Sequence, residues 1–394
     1  MRHFFKIIAL AAVLALPAEG LFAQDAKQDI LVAFEMKGSL LSFDVGVLDQ
    51  LYPKLDPEKI GTTIFTGSSS GSVLTAYFAC HGLSAQSVQA ATREITTFNP
   101  ALLGEDDNAK IIKMFAGINV EKDIRVLDSF LLKITNNGTC VPTAHPFAII
   151  ASNDEVVRDT VPGTLRPANS KRLNFDTLDV FDIATGNRLG KACTYFTNEA
   201  GAAYLQKVPE ERRLCDIRLV KTAADLMFAV RASVSEPTYF PAIAEPNPSA
   251  FLDIPPPASR RYQGGLVMQA VVQDFKLADP ELLTVGIGGN FAPRLVNRFL
   301  KNIFLIDVNR RLLELNWWYD VKIEGSREGF DTFKRSTVNP RDLLEFGRKT
   351  VKACVDADSC NGRVLLKPEA ASKSLDGTDM TPFTHRGLKS ISRD

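Results

Sequence analysis

The stretch Thr62-Thr63-Ile64-Phe65-Thr66-Gly67-Ser68-Ser69-Ser70-Gly71-Ser72-Val73-Leu74-Thr75-Ala76-Tyr77-Phe78-Ala79-Cys80 contains the change of pattern that decides the fold. A β-rich run over Thr62–Thr66 enters the pentapeptide Gly67–Gly71, and helical spacing over Ser72–His81 leaves it. Gly82 stands where a left-handed residue ends a helix. Strand, GxSxG and helix in that order are the context of a nucleophile elbow. The middle residue, Ser69, takes a strained conformation, and Gly67 and Gly71 are small enough to let strand and helix approach. Ser69 then projects over the positive end of the following helix, which favours an oxyanion. The pentapeptide by itself fits an ordinary loop; its flanks single it out.

Outward from the elbow, apolar runs recur at Ile30–Phe34, Pro146–Ala151, Leu178–Ile183, Met227–Val230 and Leu282–Ile287. Most are apolar on consecutive positions, the pattern of strands covered on both faces. Helical spacing returns over Val45–Tyr52 and, as one long helix, over Leu295–Tyr319, ending in Trp317, Trp318 and Tyr319. That aromatic end reads as core packing, with a peripheral lipid interface as the alternative. Strand alternating with helix predicts an α/β fold, a three-layer α/β/α sandwich on a largely parallel sheet whose ligands bind beyond the carboxyl ends of the strands. Pro237, Pro241, Pro246, Pro248, Pro255, Pro256 and Pro257 deny their segment a regular ladder, so it reads as a stiff surface connection, or a rim over the site.

The 394 residues, 45% apolar and 23% charged, supply a large core. Forty-six basic residues balance forty-six acidic ones without long like-charge runs, which argues against a nucleic-acid face. Arg2, His3 and Lys6 precede an apolar stretch from Ile7 to Leu16 and a small residue at Ala23. Residues 1–23 therefore read as a secretory signal peptide and 24–361 as one domain, followed by a polar tail over 362–394. Export to the periplasm or the medium favours disulfides among Cys80, Cys140, Cys193, Cys215, Cys354 and Cys360. Cys354 with Cys360 is the best local pair and Cys193 with Cys215 the second, although six cysteines allow 15 complete pairings. No zinc motif and no organic-cofactor motif is present, so no cofactor is expected.

A serine hydroxyl needs a base. His385 lies in the polar tail, His145 precedes a proline at a strand start, and His81 sits at the far end of the elbow helix, about 15 Å from its start. None fits a triad.

Four blocks together resemble the patatin-like phospholipases over most of the chain. They are Leu31–Phe34 with Ser42–Leu48; the Gly67–Gly71 elbow; Val230-Arg231-Ala232-Ser233 through Pro237 to Tyr239-Phe240-Pro241; and Tyr262-Gln263-Gly264-Gly265 with Leu283–Gly288. The resemblance implies a three-layer sandwich in which a Ser–Asp dyad, without histidine, hydrolyses acyl esters of lipids, with Ser69 as nucleophile. Two departures matter chemically. The family's base aligns with Gln263, an amide that can hold a hydroxyl but not take its proton. The family's glycine-rich oxyanion loop aligns with Met36, Lys37, Gly38 and Ser39, where Gly38 alone is kept. Losing one oxyanion donor typically costs about 3 kcal/mol of transition-state stabilisation. Glu35, at the carboxyl end of the first strand, is the substitute base, and Lys37 a source of positive charge; an exposed Glu35–Lys37 pair is the simpler reading. Asp253 and Asp274, the carboxylates flanking Gln263 in sequence, are expected to face solvent. Two functions follow: an exported lipid acyl hydrolase, or an impaired relative that binds acyl lipids or acts as a scaffold.

Overall fold

The structure, a computed structural model, describes residues 27–34, 41–97, 121–140, 145–154, 171–174, 177–235, 240–252, 260–264, 268–287 and 303–306, together with 142, 254, 341, 344, 345 and 347–349. Residues 1–23, expected to be a signal peptide, and residues 35–40, Asp253, Gly265, Trp317–Tyr319, Cys354, Cys360 and 362–394 lie outside the described residues.

Seven strands form the central sheet: β1 (Gln28–Phe34), β2 (Ile60–Ser68), β3 (Phe147–Ser152), β7 (Cys193–Thr197), β8 (Asp216–Leu219), β11 (Leu283–Ile287) and β12 (Ile303–Ile306). Their spatial order is β12-β11-β1-β2-β3-β7-β8, and every neighbouring pair is parallel except β3–β7. Alternate side chains of each strand go to opposite faces, and both faces are covered. On one, Val32, Phe34, Phe65, Ile149 and Phe196 pack with α1 (Leu41–Leu51), α2 (Gly71–His81), α3 (Ala85–Thr97), α4 (Glu121–Ile134) and α6 (Ala223–Val234). On the other, Leu31, Ile64, Ile150, Tyr195 and Ile217 pack with α5 (Glu199–Leu205) and α7 (Met268–Ala278). This is a mixed α/β fold on a mostly parallel sheet. Double coverage is why these strands read as continuous apolar runs and not as alternation. Against α1, Gly46 meets the Leu344 backbone so closely that a Cβ would lie 2.1 Å from its carbonyl oxygen, and Arg348 pairs with Asp49 at 2.6 Å.

Several expectations are corrected. Met227–Val230 is helical, inside α6, because Thr222 and Asp225 form a reciprocal capping box that starts a helix just upstream. A short apolar run does not by itself distinguish strand from buried helix. Leu178–Ile183 leaves the main sheet: β5 (Asp179–Asp182) pairs antiparallel with β4 (Lys171–Leu173) and β6 (Arg188–Lys191), and Ile183 is exposed. Inside the long helix expected over Leu295–Tyr319, Ile303–Ile306 forms β12, four consecutive apolar residues paired with β11. The proline-rich segment does form a ladder, two residues long, between β9 (Ile243–Ala244) and β10 (Arg261–Tyr262). It also covers the edge of β8 through an Arg218–Phe251 bridge and a Leu252 N–H to Ile217 C=O bond, which blunts an otherwise open strand edge.

Among the described residues two disulfides are formed. Cys193–Cys215 ties β7 to the entry of β8, as expected, and Cys80–Cys140 ties the last turn of α2 to the chain after α4, a pairing the spacing did not indicate. Among the described residues no helix is long and apolar enough to cross a membrane.

Asp274 does not face solvent. It is fully buried on α7, where its Oδ2 accepts from Tyr195 (2.9 Å) and from the Leu214 N–H (2.8 Å) while Oδ1 has no partner. Burial pushes its carboxyl up to about 6, against the opposing pull of those donors and of the Arg213 and Lys191 charges. The folded state therefore holds a proton that the unfolded chain gives up near 3.8, so this site favours folding at low pH and that contribution fades as pH rises through about 6. Urea unfolding of wild type and Asp274→Asn at pH 4 and pH 7 measures this directly. The difference between them should move by about 2 kcal/mol in favour of the variant at the higher pH.

Candidate functional site

Strand β2 ends at Ser68 and α2 begins at Gly71, so Ser69 and Ser70 alone make the corner. Ser69 has φ +50°, the left-handed region that non-glycine residues rarely occupy, at a cost of roughly 1–2 kcal/mol. Of the three consecutive serines, Ser68 and Ser70 are buried and only Ser69 is partly open. The corner closes through the Ser72 N–H to the Ser69 carbonyl at 2.9 Å, with the Ser72 hydroxyl on the same oxygen. Gly67 makes the approach possible: a Cβ there would lie 2.3 Å from Thr75 Oγ1 and 2.5 Å from the Gly71 carbonyl oxygen. The elbow read from GxSxG is thus present, at the carboxyl end of a central parallel strand and at the amino end of a helix whose dipole favours negative charge.

Gln263 is brought to the same place by β3. Alternate residues of a strand turn their N–H and C=O to opposite edges. At Asn153 the N–H goes to Ala192 at the β7 edge; at Ser152 the N–H donates to the Gly264 carbonyl and the C=O accepts from the Gln263 N–H at 3.0 Å. Ser152 therefore uses the β2 edge, beyond the point where β2 has turned away. Ser68 is level with Ile150, and Gln263 bonds Ser152 two residues further along. The two levels are about 7 Å apart in one slot. Gly264, with φ +78°, turns the chain there and donates its N–H to the Ala232 carbonyl at 3.0 Å. Next to Ala232, fully buried Ser233 accepts the Ser69 N–H (2.8 Å) and donates to the Ile150 carbonyl (2.6 Å).

The structure thus brings together Ser69, Gly67, Gly71, Gln263 and Gly264. Glu35, Met36, Lys37, Gly38, Ser39 and Gly265 lie outside the described residues. The Gln263 side chain points its Nε2 at the Phe240 carbonyl (3.3 Å), leaving Oε1 as the acceptor end. Neither of the two described histidines reaches this corner, and His385 lies outside the described residues. His145 packs edge-on to Phe65 and against Gly82, at the opposite end of α2 from Ser69, and burial lowers its pKa. His81 Nε2 is 3.1 Å from the Ile134 carbonyl. Among the described residues no group of three or more metal-ligating side chains occurs.

Sequence reasoning missed what fixes Gln263. Tyr262 is buried against Phe196 and Phe228, and its hydroxyl donates to Glu245 Oε2 at 2.7 Å. Burial and the Glu245 carboxylate push that phenol well above its ordinary value, so it stays a donor. Glu245 also takes the Arg218 Nε on both oxygens (2.9 and 3.0 Å), and Arg218 reaches Asp225 at 3.3 Å while its guanidinium stacks 5.3 Å from both Phe196 and Phe228. The available signal was a lone arginine inside the apolar run Ile217-Arg218-Leu219-Val220: such a charge has to be paired.

Comparison of the sequence with models of known protein families gives no match, and comparison with curated proteins gives none.

Glu245→Ala leaves the Arg218 charge buried opposite Asp225 alone and should cost about 3–5 kcal/mol in denaturant unfolding, whereas replacing Arg218 and Glu245 together with Met and Leu should cost far less. Equal losses in the two variants would refute the pairing as the source of the effect.

Proposed function

We propose that this chain is an exported, patatin-like lipid acyl hydrolase with Ser69 as nucleophile and a degenerate dyad. The observation that carries the reading is the left-handed backbone of Ser69 at the corner between the carboxyl end of a parallel strand and the amino end of a helix. The Ser69 hydroxyl adds to the ester carbonyl, the ester C–O bond breaks to release the alcohol, and water then releases the fatty acid from the acyl-enzyme. Backbone N–H groups at the start of α2 supply positive charge for the developing oxyanion. The substrate class, an acyl lipid, and contact with a membrane surface come from the four-block resemblance. Export is supported by residues 1–23 and is compatible with the two disulfides.

The second reading, an impaired relative that keeps the cleft to bind acyl lipids or to act as a scaffold, is favoured by one observation. Gln263, which the resemblance aligns with the family's base, commits its amide to the Phe240 carbonyl. Its Oε1 can orient the Ser69 hydroxyl or a water, but it does not take a proton at neutral pH. Proton removal in an active enzyme then falls to solvent or to Glu35.

A fluorophosphonate probe on the purified chain separates the two. Labelling that disappears in Ser69→Ala supports the hydrolase, and absence of both labelling and ester turnover leaves the binding reading. In Gln263→Asp, ester turnover should rise by about 10²–10⁴-fold, the range a positioned general base contributes; no rise would shift the defect to the Met36–Ser39 loop.

A further inference from the structure

The hydrogen bond at Ser233 occupies a place that belongs to the β-ladder. Between β2 and β3 the parallel pattern begins with the Phe65 N–H donating to the Pro146 carbonyl. Each step of two residues repeats it, so the next donors, Gly67 and Ser69, are due to meet Ala148 and Ile150. At the last step the partners do not meet. The Ser69 N–H goes to Ser233 Oγ, and Ser233 Oγ goes on to the Ile150 carbonyl. The hydroxyl of a helix residue is spliced into the ladder at the nucleophile.

Which way Ser69 faces depends on that splice. In an extended β2, Ser69 would share the face of Phe65 and Gly67, the face covered by α2, and its hydroxyl would be directed into that packed layer. A direct bond to Ile150 would hold it there. With Ser233 interposed, the end of β2 stands away from β3, Ser69 turns to φ +50°, and the vacated slot is filled by Gln263 and Gly264. The same turn of α6 secures both sides of the gap, Ala232 through its carbonyl on Gly264 and Ser233 through its hydroxyl on Ser69.

We infer that Ser233 is a positioning residue, whose hydroxyl, inserted between the Ser69 N–H and the Ile150 carbonyl, keeps the Ser69 side chain turned to the crevice. The catalytic consequence rests on the reading of Ser69 as nucleophile; the geometric one does not.

The test compares Ser233→Ala and Ser233→Thr in the full chain, by the rate of fluorophosphonate labelling of Ser69 well below the unfolding midpoint and by crystal structures of both variants. In Ser233→Ala the labelling rate of folded protein should fall about tenfold, the factor of one lost hydrogen bond of ordinary strength. Ser69 should move to negative φ and bond Ile150 directly. Ser233→Thr, which keeps the hydroxyl, should restore labelling and the left-handed φ. A role in stability alone would lower the melting temperature of Ser233→Ala and leave its labelling rate unchanged; that result, or a Ser69 φ still near +50° in Ser233→Ala, overturns the inference. If wild type itself does not label, the nucleophile reading fails, and the Ser69 φ in Ser233→Ala still decides the geometric inference. Should Ser233→Ala not fold, Ser233→Cys, with its weaker donor and acceptor, is held to the same two outcomes.

Discussion

A serine backbone in the left-handed region between a strand and a helix is the constraint to which the neighbouring parts conform. Gly67 lacks a Cβ because the Gly71 carbonyl is already where one would go. Strand β2 stops at Ser68 because the next N–H leaves the ladder for Ser233. The Gln263–Gly264 segment reaches Ser152 because that edge of β3 is then unoccupied. Any of these contacts is ordinary when taken alone; together they leave one half-open hydroxyl among buried neighbours.

The strain is held by a core built around a charge. Arg218, fully buried on β8, joins Glu245 from the proline-rich segment, Asp225 from the first turn of α6 and the rings of Phe196 and Phe228. Through Glu245 it fixes the Tyr262 hydroxyl, one residue before Gln263. A buried ion pair adds little net stability compared with apolar packing. Its use here is to tie one strand, one helix and one loop to a common point, so that the chain enters the site at a defined level. The described part of the proline-rich segment also covers the edge of β8, through Phe251 and Leu252.

The fold was legible where an element's own residues decide it. Ile30–Phe34 and Phe147–Ala151 are apolar at every position because both faces are covered, and these runs, like Thr62–Thr66 and Leu283–Ile287, are strands of the sheet. Ser72–His81 ends at Gly82 with φ +66°. Met227–Val230 misled because a helix buried all round looks like a buried strand over four residues, and the capping box at Thr222 and Asp225 was the stronger signal. Strands β7 and β8 were missed because each mixes polar residues that have internal partners, among them Thr194, Arg218 and Asp216, into a short run. At the site, Ser69 and Gln263 could be named from motif and spacing. Ser233 could not be given a role, since the partner of its hydroxyl is set by the pairing of β2 with β3, residues far away in sequence. Asp274 was misplaced for a similar reason: a carboxylate on an amphipathic helix looks solvated until a distant Tyr195 and Leu214 are seen to donate to it.

The single reversal of direction in the sheet has a mechanical consequence. Near its carboxyl end β3 is bordered by β7 on one side and by the Tyr262–Gly264 segment on the other, both running against it. Antiparallel bonds lie straight across the strands, and such pairing is the slightly firmer of the two kinds. The crevice beside Ser69 is therefore built with one stiff bank.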